Sequence, residues 1–194
     1  MYQSLVADTR FHRLLLTLDQ DCAGACRNSR CPVCGGVLHA AHFARKPRGM
    51  PSGATEYDRR RFSFCCAEPE CRKRTTPPSL RFLGRKVYLA TVVTVVSALQ
   101  RGSLTAQRQL AARLGISPRT VVRWRRWWRE IFTSGPFWTQ AAAAFMPPVD
   151  RAGLPASLLD RFGDPDADAP DHRLRLLLRF LAPITGGCRP GHVF

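Results

Sequence analysis

Four cysteines constrain this 194-residue chain more than any other feature. Cys31 and Cys34 share a C-P-V-C-G run, and Cys66 and Cys71 follow after a long interval. Thiolates at the first spacing reach one ion from a tight turn, and Gly35 lets the backbone fold back beneath it. Eight cysteines, with no charged start and apolar stretch of a secretory signal, favour metal ligation over a disulfide framework, because reducing compartments keep thiols free. Between the pairs, Phe62, Phe64 and Cys66 alternate as they would along one face of a strand, which selects Cys66 over Cys65. The expectation is two Cys knuckles on β-hairpins, with Cys31, Cys34, Cys66 and Cys71 around a tetrahedral, structural Zn. Cys65, Cys22 and Cys26 are further candidates. Cys22 and Cys26, at C-x3-C, are either small buried hydrophobes or part of a second zinc site with Cys65 or a histidine. His39 and His42 read as surface or core histidines, and Cys188 as an inert thiol.

Charge is as unevenly placed as cysteine. From Arg72 to Arg129 the chain has fourteen Lys and Arg residues and no Asp or Glu, and this segment supplies most of the net charge of +16. Ordinary surfaces mix the two signs, so the run points to a polyanionic partner. No apolar run reaches the length of a membrane span, so no membrane partner and a cytoplasmic, nucleoid-associated protein are expected.

Inside that run lies a helix-turn-helix pattern. With Gly115 as the turn glycine, Leu110, Ala111 and Leu114 face inward from the first helix, and Ile116, Val121 and Trp124 supply packing positions after it. Ser117 and Pro118 form a cap and a first-turn proline. The second helix, from Pro118 to about Phe132, then projects Ser117, Arg119, Thr120, Arg123 and Arg126 where a recognition helix meets base edges. Arg119 and Arg123 suit bidentate contact with guanine, and Thr120 a thymine methyl or a phosphate. Arg108, Arg113, Arg125, Arg126 and Arg129 suit phosphate clamps, and Arg72, Lys73 and Arg74 nearer the cysteines are further DNA-binding candidates. Trp124 and Trp128 are four residues apart and read as a core stripe. Upstream, Tyr88, Val92, Val95, Val96 and Leu99 predict a first helix over 85–100, completing a tri-helical domain.

The segments C-P-V-C-G, R-R-R-F-S-F-C-C, C-R-K-R-T-T-P-P-S and R-F-L-G-R-K-V-Y resemble the zinc-ribbon region that precedes the helix-turn-helix in proteins of bacterial insertion sequences and transposons. The likeness spans residues 31–88. It departs from the usual ribbon in the second knuckle, where four residues rather than two separate Cys66 from Cys71. The resemblance implies a transposase-type N-terminal region, a mobile-element role, and a transposase or other mobile-element protein as partner.

The fold class expected is mainly α with a small β zinc ribbon. An N-terminal helical segment (1–28) precedes the ribbon (29–80), a helix-turn-helix domain (81–134) and a helical C-terminal extension (135–194). The Leu-rich stretch 174–181 is apolar on more than one face, so it is either buried or an interface such as a homodimer contact. Three functions compete: a non-enzymatic, sequence-specific double-stranded DNA binder, accessory or regulatory to a mobile element; a small or truncated transposase with metal-dependent strand transfer; and a plain transcriptional regulator or RNA-binding ribbon. The transposase needs clustered carboxylates. These are excluded from the acid-free span; beyond it the candidates are Asp150, Asp160, Asp164, Asp166, Asp168 and Asp171, in a tail that reads as loop and short helix.

Overall fold

A computed structural model describes residues 2–84, 86–164 and 166–186, the side chains of 100–102 aside; Cys188 lies outside these. The described residues are mainly helical, with a small antiparallel β component. They form two compact units, a cysteine-bearing one from 7–89 and 178–186, and a helical one from 2–6 and 90–177.

The cysteine unit opens with α1 (Thr9–Asn28). Asp8, in extended conformation, caps it by accepting from the N–H groups of Arg10 and Phe11. The buried stripe of α1 runs through Phe11, Leu15, Asp19, Ala23 and Cys26. Five short strands follow: β1 (Leu38–Ala40), β2 (Phe43–Ala44), β3 (Arg60–Arg61), β4 (Phe64–Cys66) and β5 (Arg74–Thr75). Antiparallel pairing orders three of them β1-β4-β5, and β2 pairs separately with β3. The register sets Leu38 opposite Cys66 and Phe64 opposite Thr75. The inward row of Leu38, Phe64 and Cys66 then joins Ala23, Cys26, Cys31 and Phe62 in one core.

A buried carboxylate ties α1 to the chain beyond the sheet. Asp19, 1% exposed, accepts from Ser79 Oγ at 2.6 Å, Leu80 N at 2.6 Å and Arg81 Nε at 2.8 Å. Arg81 spends its other donors on the carbonyls of Asp58 and Arg60, and its guanidinium lies over the rings of Phe62 and Phe82. Nearby, buried Arg61 donates to the carbonyls of Pro77 and Thr185, and burial lowers its pKa to about 10, which keeps it charged at neutral pH.

In the helical unit, α2 (Ala90–Gly102) buries Val92, Val93, Val95 and Val96. It is shorter than the helix predicted over 85–100. Tyr88 and Leu89 instead form isolated β-bridges to Arg48 and Phe82 in the cysteine unit, which take up the backbone that a first helical turn would have used. Next come α3 (Leu104–Arg113) and α4 (Pro118–Arg126), each packed on α2. A π-helical turn over Trp127–Ile131 leads into α5 (Phe132–Ser134), and α6 (Pro136–Ala141), α7 (Ala156–Leu159) and α8 (Pro170–Leu181) complete the helices. The last residues of α8, from Leu178, belong to the cysteine unit. Leu174, Leu177, Leu178 and Leu181 are each at most 1% exposed. The apolar face that raised a homodimer contact is therefore covered by the chain itself.

Removing one partner of a buried ion pair strands the other, so Asp19→Ala should cost about 3–5 kcal/mol in urea unfolding. Losing the α1 cap in Asp8→Ala should cost only about 1 kcal/mol. Equal, small losses in the two variants would show that the Asp19 cluster does not hold the unit.

Candidate metal centre and nucleic-acid interface

The structure brings Cys31, Cys34, Cys66 and Cys71 together, with all four sulfurs within 4.8 Å of one another. Cys31 Sγ lies 3.7 Å from Cys71 Sγ, and Cys34 Sγ 3.4 Å from Cys66 Sγ. Four sulfurs at about 2.3 Å from a tetrahedral ion stand about 3.8 Å apart, so the cluster has the dimensions of a zinc site. Among the described residues no other group of three or more His, Cys, Asp or Glu side chains gathers this closely.

Local backbone geometry makes the cluster. Gly35, at φ +71°, donates to the Cys31 carbonyl, and Cys31 N donates to the Gly36 carbonyl, both at 2.9 Å, closing the first knuckle. In the second, the N–H groups of Cys71 and Arg72 both reach the Glu68 carbonyl at 3.0 Å, so the wider spacing folds into a turn that Arg72 leaves at φ +46°. The knuckles meet at Gly36, where a Cβ would lie 2.6 Å from Glu68 Cγ and 3.1 Å from Cys66 Sγ. A C-P-V-C-G-G run signals this second glycine, although its partner is visible only in three dimensions.

The N–H groups of Cys34 and Val33 favour the Cys31 thiolate and lower its pKa to about 7. The other three thiols titrate higher than usual. For Cys34 and Cys71, the N–H groups of Gly36 and Lys73 favour the thiolate but are outweighed by burial and neighbouring thiols; for Cys66, burial dominates. Four thiolates so crowded repel one another unless a cation neutralises them, the chemistry of a dication site.

The remaining candidates lie elsewhere. Cys65 points away from Cys66 and donates to the Arg72 carbonyl at 3.4 Å. Half-buried Cys22 sits on α1, where burial pushes its thiol up; Cys26 lies in the core and is bonded in a disulfide, so it offers no thiolate to a second metal, contrary to the expectation. His39 is exposed, and His42 Nδ1 rests 2.9 Å from the Ser63 carbonyl with its ring edge-on to Phe62 and Phe64.

In the helical unit, Ser103 caps α3 by accepting from Ala106 N at 3.1 Å. Gly115 at φ +62° ends the helix: its N–H reaches the Ala112 carbonyl, and Ile116 N reaches the Ala111 carbonyl at 2.8 Å. Ser117 then caps α4, accepting from Thr120 N at 3.3 Å, with Pro118 in the first turn. Leu110, Ala111, Ile116 and Trp124 are buried between the helices as the pattern predicts, while Val121 is only half-buried. Thr120 corrects the sequence reading. It is 8% exposed and faces inward, so it offers DNA no surface; its Oγ1 instead lies 3.0 Å from Ser117 Oγ and accepts from Arg123 Nη2 at 3.1 Å. The missed signal is i, i+3 hydroxyl–guanidinium spacing, which makes Thr120 a brace for Arg123.

Ser117, Arg119, Arg123 and Arg126 are exposed on α4, and Arg108 and Arg113 on α3. Arg126 pairs with Glu130 at 2.7 Å, an exposed i, i+4 bridge worth little. Arg125 is half-buried, and exposed Arg129 donates to the Ala152 carbonyl at 2.9 Å. Arg72, Lys73 and Arg74 are exposed in the other unit, around β5. Trp124 and Trp128 are core, as their spacing suggests. The π turn, in which Phe132 N donates to the Trp127 carbonyl, adds a residue that the 3.6-residue period does not foresee. It leads Trp128 and Phe132 into an aromatic cluster with Trp138.

Residues 106–132, covering most of α3, all of α4 and the π turn, match the family model of the homeodomain-like domain, which supports a helix-turn-helix of the DNA-binding type there. No curated protein and no solved structure matches the chain.

Proposed function

We propose that the chain is a zinc-stabilised, sequence-specific double-stranded DNA-binding protein associated with a mobile element, an accessory or regulatory factor that is not an enzyme. The observation that carries this reading is α4, a capped helix presenting Arg119 and Arg123 outward within a segment free of carboxylates. Its N-terminal half would enter the major groove. Arg119 and Arg123 would each donate to N7 and O6 of a guanine, with Thr120 holding the Arg123 guanidinium in place before DNA arrives. Arg108 and Arg113 would pair with phosphates, as would Arg72, Lys73 and Arg74 from the cysteine unit.

Zinc on Cys31, Cys34, Cys66 and Cys71 would act structurally, neutralising the thiolates and joining two knuckles whose strands are too short to hold alone. The mobile-element role rests on the likeness of residues 31–88 to ribbon regions of insertion-sequence proteins. The binder reading is supported by the tail carboxylates, several of which are spent on local turns: Asp150 on Ala152 N, Asp164 on Asp166 N and Asp168 on Asp164 N. On this reading the protein works at the bacterial nucleoid beside a transposase.

Purified protein should carry about one zinc ion per chain by elemental analysis. A Cys31→Ser, Cys34→Ser variant that folds normally without metal refutes the zinc site. For DNA, Arg123→Ala should cost about 1–3 kcal/mol and relax base preference at one position, while Arg108→Ala should weaken all sequences evenly and lower the salt slope by about one. Indistinguishable binding profiles for the two contradict these roles. Incubated with Mg²⁺ and transposon-end DNA, the protein should leave both strands intact; cleavage that Asp150→Asn abolishes would replace the binder with a transposase.

A further inference from the structure

Beyond the first-turn Pro118, one outward residue of α4 is neither charged nor polar. Val122 is 58% exposed, three residues after Arg119 and beside Arg123, whereas the packing of α4 falls to Thr120 and Trp124. With Thr120 turned inward, the reading face consists of Arg119, Val122, Arg123 and Arg126, and Arg126 is engaged by Glu130. A branched apolar side chain between guanidinium groups has nothing to offer a phosphate. In the major groove its chemical complement is the C5-methyl of thymine, the one apolar group on a base edge there.

We infer that Val122 is a specificity-determining residue that covers a thymine methyl, an inference resting on the proposed recognition role of α4. The rise of α4 between Arg119 and Arg123 is about 6 Å, close to two base-pair steps of about 3.4 Å. The thymine therefore belongs within or beside the steps that separate the guanines read by those arginines. A G/T-containing core follows, in which arginines read guanines by donation and Val122 selects one thymine by desolvating its methyl.

Uracil is thymine without that methyl, which gives a direct test. A duplex selected by the full chain from a random library is remade with each thymine replaced in turn by uracil, and affinity is measured for wild type and Val122→Ala. Wild type should lose about fourfold at one thymine position, the worth of one buried methyl. Val122→Ala should bind the thymine and uracil duplexes alike at that position, with its affinity for the uracil duplex within about twofold of wild type. Two results overturn the inference: wild type indifferent to uracil at every position, or Val122→Ala retaining the full uracil penalty. A chain that selects no duplex at all refutes the DNA-binding reading itself, and this inference with it. Since Val122 is exposed and unused in packing, its substitution leaves the fold in place.

Discussion

The Asp19 carboxylate is the joint of the cysteine unit. A charge so deeply buried is tolerable only when each oxygen is occupied, and three consecutive residues, Ser79, Leu80 and Arg81, supply a hydroxyl, an N–H and a guanidinium. Arg81 passes the constraint on, bonding the carbonyl of Asp58 ahead of β3 and that of Arg60 within it, and capping the Phe62 ring. The helix, the segment before β3 and the chain leaving β5 are thus fixed to one another by a single buried charge.

The sheet contributes little holding power of its own. Strands of two or three residues cannot sustain a sheet, so the knuckles depend on what joins them. The meeting of Gly36 with Glu68 and Cys66 brings the two turns into contact, and the four sulfurs concentrate a charge that the zinc we propose would relieve. Folding of this unit and binding of that proposed zinc would then be one equilibrium.

The helical unit separates its tasks by face. The valines of α2 and the aromatic cluster around Trp128 and Phe132 bury the apolar surface, leaving α3 and α4 to expose arginines with few counter-charges. The Ser117–Thr120–Arg123 chain of hydroxyls and guanidinium couples the helix cap to the side chain proposed to read DNA, so cap and reader are organised by the same bonds.

Local rules governed what was legible beforehand. The Cys31–Cys34 spacing, the alternation ending at Cys66, the Gly115 turn and the Ser117–Pro118 start each follow from the backbone geometry of a few adjacent residues, and sequence alone determined them. Sequence also placed the charge, because composition needs no coordinates. Tertiary structure decided the rest. That Cys71, already expected as a ligand, meets Cys31 depends on two knuckles far apart in the chain closing on each other. That residues 88 and 89 leave the first helix depends on bridges to Arg48 and Phe82, distant in the chain. That Thr120 turns inward depends on how α4 sits against its neighbours, and that the leucines of α8 are covered depends on packing around them. Each of these is a competition between a local preference and a partner far along the chain, and such competitions are settled only when the chain has closed on itself.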